Sequence, residues 1–452
     1  MIFLPLGGAG EIGANSYYLN LSGTGIILDC GMHPRKTGID SLPDLSLIEN
    51  RDVDFVLITH AHQDHIGSLP FLIKKFPYLK IISTPQTRAI AELTLHNSIE
   101  IIKDENDEQL KYLFHHDEID LLIQSIERKE YGQSFSLQGY KHKGGEINVT
   151  FYDAGHIPGS ASILIEHNGI KIFFTGDINT APQIIIREAE LPETKIDILI
   201  TETTYGSTDS TLIPELKTES QKFAKAINRI VNDGGSILIP VFSLGKMQEM
   251  LALCNQLIIS GTIADIDIYT GGIGNKISKV YDYNRFTTRR NDTELVLNNI
   301  PQKNLFEVDD PMTFFKQPCI VLASSGMMMQ GTASFRLARH WVRQKKSAII
   351  VVGYMDSLTP GYVISNSRRG DVIDLFGEDE EIKCEILKFR FPSHARREGL
   401  LKIADKLKPQ KIILVHGEED SIKWIGAELL KKDKSRKVYS AEVGKEINLD
   451  DE

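Results

Sequence analysis

The sequence predicts an α/β protein in which one domain is interrupted by another. Three observations carry this. Apolar runs that read as buried strands end on histidines near both ends of the chain, at Val53 to Thr59 and at Lys411 to Val415. Between them, after Gly206, strands and helices alternate in the order of βαβ units and a parallel sheet. And 452 residues suffice for two or three domains, each with a core of its own.

From the N-terminus, Ser16 to Leu21 and Gly25 to Cys30 flank a Ser22-Gly23-Thr24 turn, a hairpin signal. After the run at Val53 to Thr59, apolar spacing turns helical from Leu69 to Phe76 and from Thr84 to Ile101. Residues 104–130 read as charged and mostly helical. Strands are expected at Ile147 to Tyr152, Ala161 to Glu166, Lys171 to Thr175 and Ile196 to Thr201. Then Lys217 to Asn232 reads as a helix, Ser236 to Pro240 as a strand, Lys246 to Ile258 as a helix and Asp265 to Tyr269 as a strand. Ile320 to Ala323, Ala348 to Gly353 and Val372 to Phe376 are further strands. These readings assign 1–208 and 385–452 to the interrupted domain and 209–384 to the insert.

Composition narrows the class. Hydrophobic residues make up 41% and charged residues 25%, ordinary for a soluble globular protein. No apolar run reaches the ~18 residues of a membrane span, so no membrane partner is expected. Met1 to Gly10 lacks a basic start and a cleavage site, so no signal peptide is expected either. Cys30, Cys254, Cys319 and Cys384 form no CxxC pair and suit a reducing cytoplasm, the expected compartment. The net charge of −10 is uneven: residues 271–370 carry 14 basic and 7 acidic side chains, a local +7 that leaves −17 for the rest. A confined track for a polyanion leaves that imprint, and so does a solvated surface; charge alone does not choose.

Gly8-Ala9-Gly10-Glu11-Ile12-Gly13 matches GxGxxG, with Asp29 near the spacing of a ribose-binding acid. That fingerprint needs a helix after the glycines, because the pyrophosphate rests on its N-terminus. Here a strand comes next, which argues against a dinucleotide. Gly271 to Lys276 lies between strand and helix but lacks the P-loop spacing.

The strongest signal is His60-Ala61-His62-Gln63-Asp64-His65, directly after a buried strand. Three imidazoles and a carboxylate so close together suit zinc, and without an ion they would be left packed without partners. Alternate residues of a turn can face two ions, His60 and His62 one, Asp64 and His65 the other. Further donors come after strands: His156, Asp177 and His416. Each alone reads as an ordinary loop residue; together they complete two four-donor sets if Asp177 bridges both ions.

These residues resemble the metallo-β-lactamase superfamily, through the HxHxDH cluster, then Gly155-His156 and Gly176-Asp177. Asp29 resembles its first motif, an acid that orients the histidines from behind. Glu202 in Thr201 to Gly206, His394 in Pro392-Ser393-His394-Ala395 and His416 resemble motifs A, B and C of the superfamily's β-CASP branch. Pro240 to Gly245 and Ala323 to Met327 resemble β-CASP domain signatures. A histidine at motif C is typical of the RNA-acting members, which include ribonuclease J and the endonuclease subunit of cleavage and polyadenylation. Arg396 stands where an aspartate is usual after motif B.

The resemblance implies a metallo-β-lactamase αββα sandwich with an inserted β-CASP domain, a parallel sheet flanked by helices. It implies two zinc ions held by His60, His62, Asp64, His65, His156, Asp177 and His416. Its activity is hydrolysis of RNA by a hydroxide that the two metals activate, giving 5′-phosphate and 3′-hydroxyl ends in RNA processing or decay. Asp64 and Asp177 serve that chemistry as ligands, His394 is the candidate general acid, and Glu202 holds its ring. The implied partners are single-stranded RNA, and a homodimer or larger RNA-processing complex. Candidate substrate contacts are Ser243, Ser324, Ser325, Gly326, Arg336, Arg339 and Arg396, with Lys276, Lys279, Arg368 and Arg369 as further phosphate contacts. The alternatives are a DNA nuclease, a small-molecule metallo-hydrolase of the same fold, and a silent RNA-binding scaffold. The intact ligand set argues against the scaffold; the insert argues against the small substrate.

Overall fold

The computed structural model describes residues 1–104, 110, 115–375 and 377–450. The chain divides into two compact units. One comprises Met1–Pro182, Ile186–Ser210 and Ser393–Glu452; the other Gln183–Ile185 and Thr211–Pro392. The insert therefore runs past the expected boundary at 384. The reason is the strand Glu385–Lys388, which pairs in parallel with Ala348–Val351 and belongs to the insert's sheet. Gln183–Ile185 joins the second unit because the amides of Ile184 and Ile185 donate to the Glu249 carboxylate at 2.6 and 3.0 Å.

The first unit holds two seven-stranded sheets. In one, the order is Ile447–Asn448, Ile2–Gly7, Ser16–Leu21, Thr24–Leu28, Phe55–Leu57, Lys80–Ser83 and Glu127–Arg128. In the other it is Lys437–Ser440, Lys411–Val415, Ile198–Glu202, Ile170–Phe174, Ala161–His167, Ile147–Asp153 and Phe135–Leu137. Side chains on alternate residues of a strand face opposite sides. Ile163, Ile165, Ile172, Phe174, Ile198 and Ile200 accordingly meet Phe3, Tyr17, Leu19, Ile26 and Leu28 in the core between the sheets. Their neighbours Leu164, Phe173 and Leu199 face outward onto Leu400, Leu401 and Ile425 of the helices Arg397–Leu407 and Glu419–Lys432. Two covered faces explain why these strands read as unbroken apolar runs. The helix Arg397–Leu407 stops at Lys408, whose left-handed φ of 51° turns the chain just before Pro409.

The second unit has a six-stranded sheet, all parallel, in the order Lys303–Asn304, Asp267–Thr270, Cys319–Ala323, Ile237–Pro240, Ala348–Val351 and Glu385–Lys388. Leu238, Val321, Ile349, Phe314 and Trp341 pack one of its cores.

Most expected elements stand within a residue or two. The strand expected at Val372 to Phe376 is a short antiparallel pair, Val372–Asp374 with Asp379–Glu381, and Phe376 lies outside the described residues. Of the stretch 104–130, residues 105–109 and 111–114 lie outside them too; the helix His116–Ser125 and the strand Glu127–Arg128 occupy its later part. Gly8 to Gly13 leads into the strand Ser16–Leu21, so these glycines have no helix N-terminus to offer a pyrophosphate. All four cysteines are buried and free. Among the described residues no helix is long and apolar enough to cross a membrane.

Candidate metal centre

The register of the two sheets gathers the donors at one edge. Ile170–Phe174, Ile198–Glu202 and Lys411–Val415 run parallel with Phe174 level with Ile200 and Glu202 level with Val415. Asp177, Glu202 and His416 therefore leave the sheet together. Ile147–Asp153 runs the same way, two antiparallel steps along, and delivers His156. In the facing sheet Leu28 lies beside Leu57, so Asp29 and the turn from Thr59 to His65 emerge at the same level.

All seven expected ligands meet there, in two groups: His60, His62, His156 and Asp177, and Asp64, His65 and His416. His62 Nδ1 lies 3.0 Å from His60 Nε2 and 3.1 Å from His156 Nε2. Asp177 Oδ2 lies 3.5 and 3.7 Å from His60 Nε2 and His156 Nε2. Its other oxygen, Oδ1, lies 3.3 Å from His65 Nε2 and 3.2 Å from His416 Nε2. Asp64 Oδ2 completes the second group at 3.6 and 3.9 Å from the same two nitrogens. One carboxylate thus divides its oxygens between two donor sets.

The donor set fits metal ions. Four donors about 2.1 Å from a tetrahedral zinc stand roughly 3.4 Å apart, and the separations given above, from 3.0 to 3.9 Å, bracket that value. Asp177 Oδ1 is buried and has no hydrogen-bond partner, which would be costly without a cation. Burial pushes the His60, His62 and His156 rings below the usual histidine range, and for His60 and His156 well below it. Neutral rings keep the lone pairs that a metal needs. His65 goes the other way: burial lowers it, but the Asp177, Asp64 and Asp29 carboxylates outweigh burial and hold it well above the usual range, the positive charge that a bound cation would supply in its place.

Outer partners set which nitrogen faces inward. His65 Nδ1 donates to Asp29 Oδ2 at 2.8 Å, and His156 Nδ1 donates to the Ser393 carbonyl at 2.8 Å. Asp29 is itself held by the Thr59 amide at 2.7 Å and the Thr59 hydroxyl at 2.8 Å. That hydroxyl lies 3.0 Å from His60 Nδ1. Asn15 Nδ2 donates to the Asp64 backbone carbonyl at 3.1 Å, and the Tyr17 hydroxyl donates to Asn15 Oδ1 at 2.9 Å, which fixes the side-chain amide. Thr59, Asn15 and the Ser393 backbone were not legible as site residues, because neutral groups that act on a ligand from behind leave no motif.

Beside the centre, Glu202 and His394 form a pair. His394 Nδ1 lies 3.1 Å from both Glu202 oxygens, which leaves Nε2 toward the centre, 4.0 Å from Asp177 Oδ2. The Ile178 amide donates to Glu202 at 2.7 Å, so this carboxylate is anchored next to Asp177. Burial alone would strip the proton from His394; the Glu202 and Asp177 carboxylates outweigh it and push the ring up to about 9.

The other expected site residues are distributed otherwise. Ser243, Ser324, Ser325 and Gly326 gather at the C-terminal ends of the second unit's strands, where the Val241 amide donates to the Ala323 carbonyl at 3.0 Å. A side chain on Gly326 would meet the Phe242 ring at 2.8 Å, so the two signature loops touch only because it is glycine. Arg336 donates to the Gly331 carbonyl at 2.9 Å. Arg339 is paired with Glu378, which leaves less of its charge for a phosphate than the sequence suggested. Arg396 is the N-cap of the helix Arg397–Leu407. Arg397 turns to Asp209 at 3.2 Å and lies over the Trp424 ring at 4.4 Å.

Three family models match this chain. Residues 18–204 match a metallo-beta-lactamase superfamily domain, 247–364 a Beta-Casp domain, and 379–440 a Zn-dependent metallo-hydrolase RNA specificity domain. An RNase J-like protein of Methanocaldococcus jannaschii is 30% identical over 414 residues, 91% of each chain. Cleavage and polyadenylation specificity factor 73 of Drosophila melanogaster is 31% identical over 92% of this chain and 60% of its own length. Endoribonuclease YSH1 of Mycosarcoma maydis is 30% identical over 94% of this chain and 48% of its own. The chain thus spans half to three-fifths of these two longer relatives. A crystal structure of a protein of unknown function from Enterococcus faecalis shares the fold, with a TM-score of 0.58 over 99% of both chains at 14% identity.

Proposed function

Because the chain belongs to the β-CASP family of the metallo-β-lactamase superfamily, we propose that it is a metal-dependent ribonuclease that cleaves single-stranded RNA to 5′-phosphate and 3′-hydroxyl ends. The observation that carries this reading is Asp177, with one oxygen toward each donor set and His394 beside it. The proposed cofactor is two zinc ions, one held by His60, His62, His156 and Asp177, the other by Asp64, His65, His416 and Asp177. Such ions, when bound, lower the pKa of water from about 15.7 to about 7 and polarise a phosphoryl oxygen.

The chain's own residues do the remainder. Asp29, Thr59 and Ser393 hold the imidazoles so that their lone pairs converge. Glu202 keeps His394 Nδ1 occupied, so Nε2 is the atom that gives its proton to the departing O3′. Such acid assistance is worth about 10²–10⁴ in rate. The match to an RNA specificity domain and the ribonuclease names of the relatives support RNA over DNA. Self-association or a larger RNA-processing complex, and action in the cytoplasm, belong to the same proposal.

The test is product mapping on a 5′-labelled single-stranded RNA, run beside DNA of the same sequence. RNA should be cut, DNA should resist, and new 5′ ends should carry phosphate. His394→Ala should keep the metals while turnover falls about a hundredfold or more. Equal cutting of DNA would make this a general nuclease; cutting of neither by metal-loaded protein would end the nuclease reading.

A further inference from the structure

The second unit carries a cavity of about 670 Å³ lined by Arg229, Asp233, Lys345, Lys346, Arg369 and Glu385. Its place is set by the strands. The helix Leu216–Asn232 ends at Asp233, just before the strand Ile237–Pro240 begins; Lys345 and Lys346 precede Ala348–Val351; and Glu385 opens Glu385–Lys388. These three strands are parallel neighbours, so the cavity sits at their N-terminal ends. The signature loops at Ser243 and Ser324 leave the C-terminal ends of the same sheet. A four-residue strand at about 3.3 Å per residue separates the two ends by roughly 13 Å.

The charges are not balanced. Arg229 is satisfied by Glu385, with both guanidinium nitrogens at 2.8 Å from its two oxygens. Lys345, Lys346 and Arg369 have no ion-pair partner among the described residues, and Asp233 is the one other acid in the lining. Lys345, Lys346 and Arg369 thus give one cavity a local excess of positive charge in a chain of net charge −10, a field that attracts anions. The backbone keeps these three residues close. A side chain on Gly235 would lie 1.9 Å from the Lys346 carbonyl, so the two loops approach at a glycine. Arg369 donates to the Lys345 carbonyl at 2.9 Å, which fixes one arm of its guanidinium and leaves the remaining donors for a ligand. A planar fork beside two ammonium groups matches the oxygens of a phosphate.

We propose that this cavity is a phosphate-binding site, separate from the strand ends that carry the β-CASP signatures. Two sources offer that chemistry, the backbone of an RNA strand and a free phosphate or nucleotide. RNA is the occupant that the ribonuclease reading favours, and to that extent the assignment rests on it.

The test uses the full chain and the triple variant Lys345→Ala, Lys346→Ala, Arg369→Ala, with Lys346→Glu as a single charge reversal. All three residues are exposed, and thermal melting checks that the fold is intact. A labelled 30-nucleotide single-stranded RNA is titrated across a salt series; inorganic phosphate and adenosine triphosphate are titrated by calorimetry. For an RNA occupant, the triple variant should bind RNA at least tenfold more weakly, with a salt slope shallower by about 2, from about 0.7 per phosphate lost. Lys423→Ala, which removes an exposed charge paired to Glu419, should leave the slope unchanged. Loss of phosphate or nucleotide binding with RNA affinity intact would keep the site and make its phosphate a free one. If neither titration responds to the triple variant or the reversal, the proposal is overturned. Wild-type protein that neither binds nor cuts RNA would sink the ribonuclease reading and leave the phosphate titration to judge this one.

Discussion

At the scale of single residues the centre depends on one carboxylate. Asp177 Oδ1 and Oδ2 face different donor sets, so its loss removes a donor from both, whereas Asp64 serves only one. Asp177→Ala should therefore reduce bound metal at both positions, and Asp64→Ala chiefly at one. Elemental analysis after dialysis reads this directly; wild-type metal content in Asp177→Ala would show that the oxygens do not bridge. The tight spacing of HxHxDH made four of the seven donors legible in the sequence, His60, His62, Asp64 and His65; His156, Asp177 and His416 were legible only together with them. Glu202 and His394 were legible only through resemblance, because 192 residues separate them and nothing in the spacing links them.

At the scale of elements, the histidine turn is held by a neighbouring loop. The Cys30 amide donates to the His65 carbonyl at 2.7 Å and the Met32 amide to the Gln63 carbonyl at 3.0 Å. Gly31 between them lies so close that a Cβ would sit 1.6 Å from the Asp64 carbonyl oxygen and 2.6 Å from the His65 nitrogen. Backbone cannot yield as a side-chain tip can. Gly31→Ala should displace Asp64 and His65, costing about 10–100-fold in metal affinity, the range for disturbed support of a metal ligand, and lowering the melting temperature. A chelator competition that returns wild-type affinity would contradict this. Nothing in Leu28 to Gly31 announces the contact, since a glycine after a strand is ordinary until its neighbour is known.

At the scale of the whole molecule, several buried groups make stability depend on pH in alkali. Burial pushes Cys254, Cys319 and Cys384 up from 9.0 to about 12, 11 and 12, so they lower stability as pH rises past 9, while one buried lysine acts in the opposite sense. Lys246 is 8% exposed and donates to the Phe391 carbonyl; burial pushes it down to about 8, with Glu249 opposing. Between pH 8 and its ordinary value of 10.5, the unfolded chain keeps the proton that the folded chain has released. Stability contributed by this group therefore rises with pH across that window, by about 3 kcal/mol in all, and is absent below it. Lys246→Met removes this contribution, so the stability of the wild type relative to the variant should rise across that window while the cysteine contribution stays common to both. Trp341 lies in the second unit and Trp424 in the first, so Trp341 fluorescence in a Trp424→Phe background isolates the relevant transition. A wild-type-minus-variant difference that stays flat from pH 8 to 10.5 would show that Lys246 keeps its ordinary titration in the folded chain.

What the sequence determined by itself was local or periodic. The strand-plus-histidine runs, the alternation of helix and strand after Gly206 and the donor-rich turn each depend on neighbours within a few residues, and each stands in the fold. The metallo-β-lactamase and β-CASP assignments were legible because motifs of that kind are short. The sequence offered Asp177 as the donor common to both sets. Only the tertiary structure decided that Oδ2 faces one set and Oδ1 the other, because this depends on the register between strands that meet far along the chain. It also decided that the insert extends to Pro392, since a strand's membership is settled by its hydrogen-bonding partner and not by its own residues. The same holds for charge. The excess of basic residues between 271 and 370 was countable, but which are matched, as Arg339 is by Glu378, and which converge, as Lys345, Lys346 and Arg369 do, is a property of packing in space.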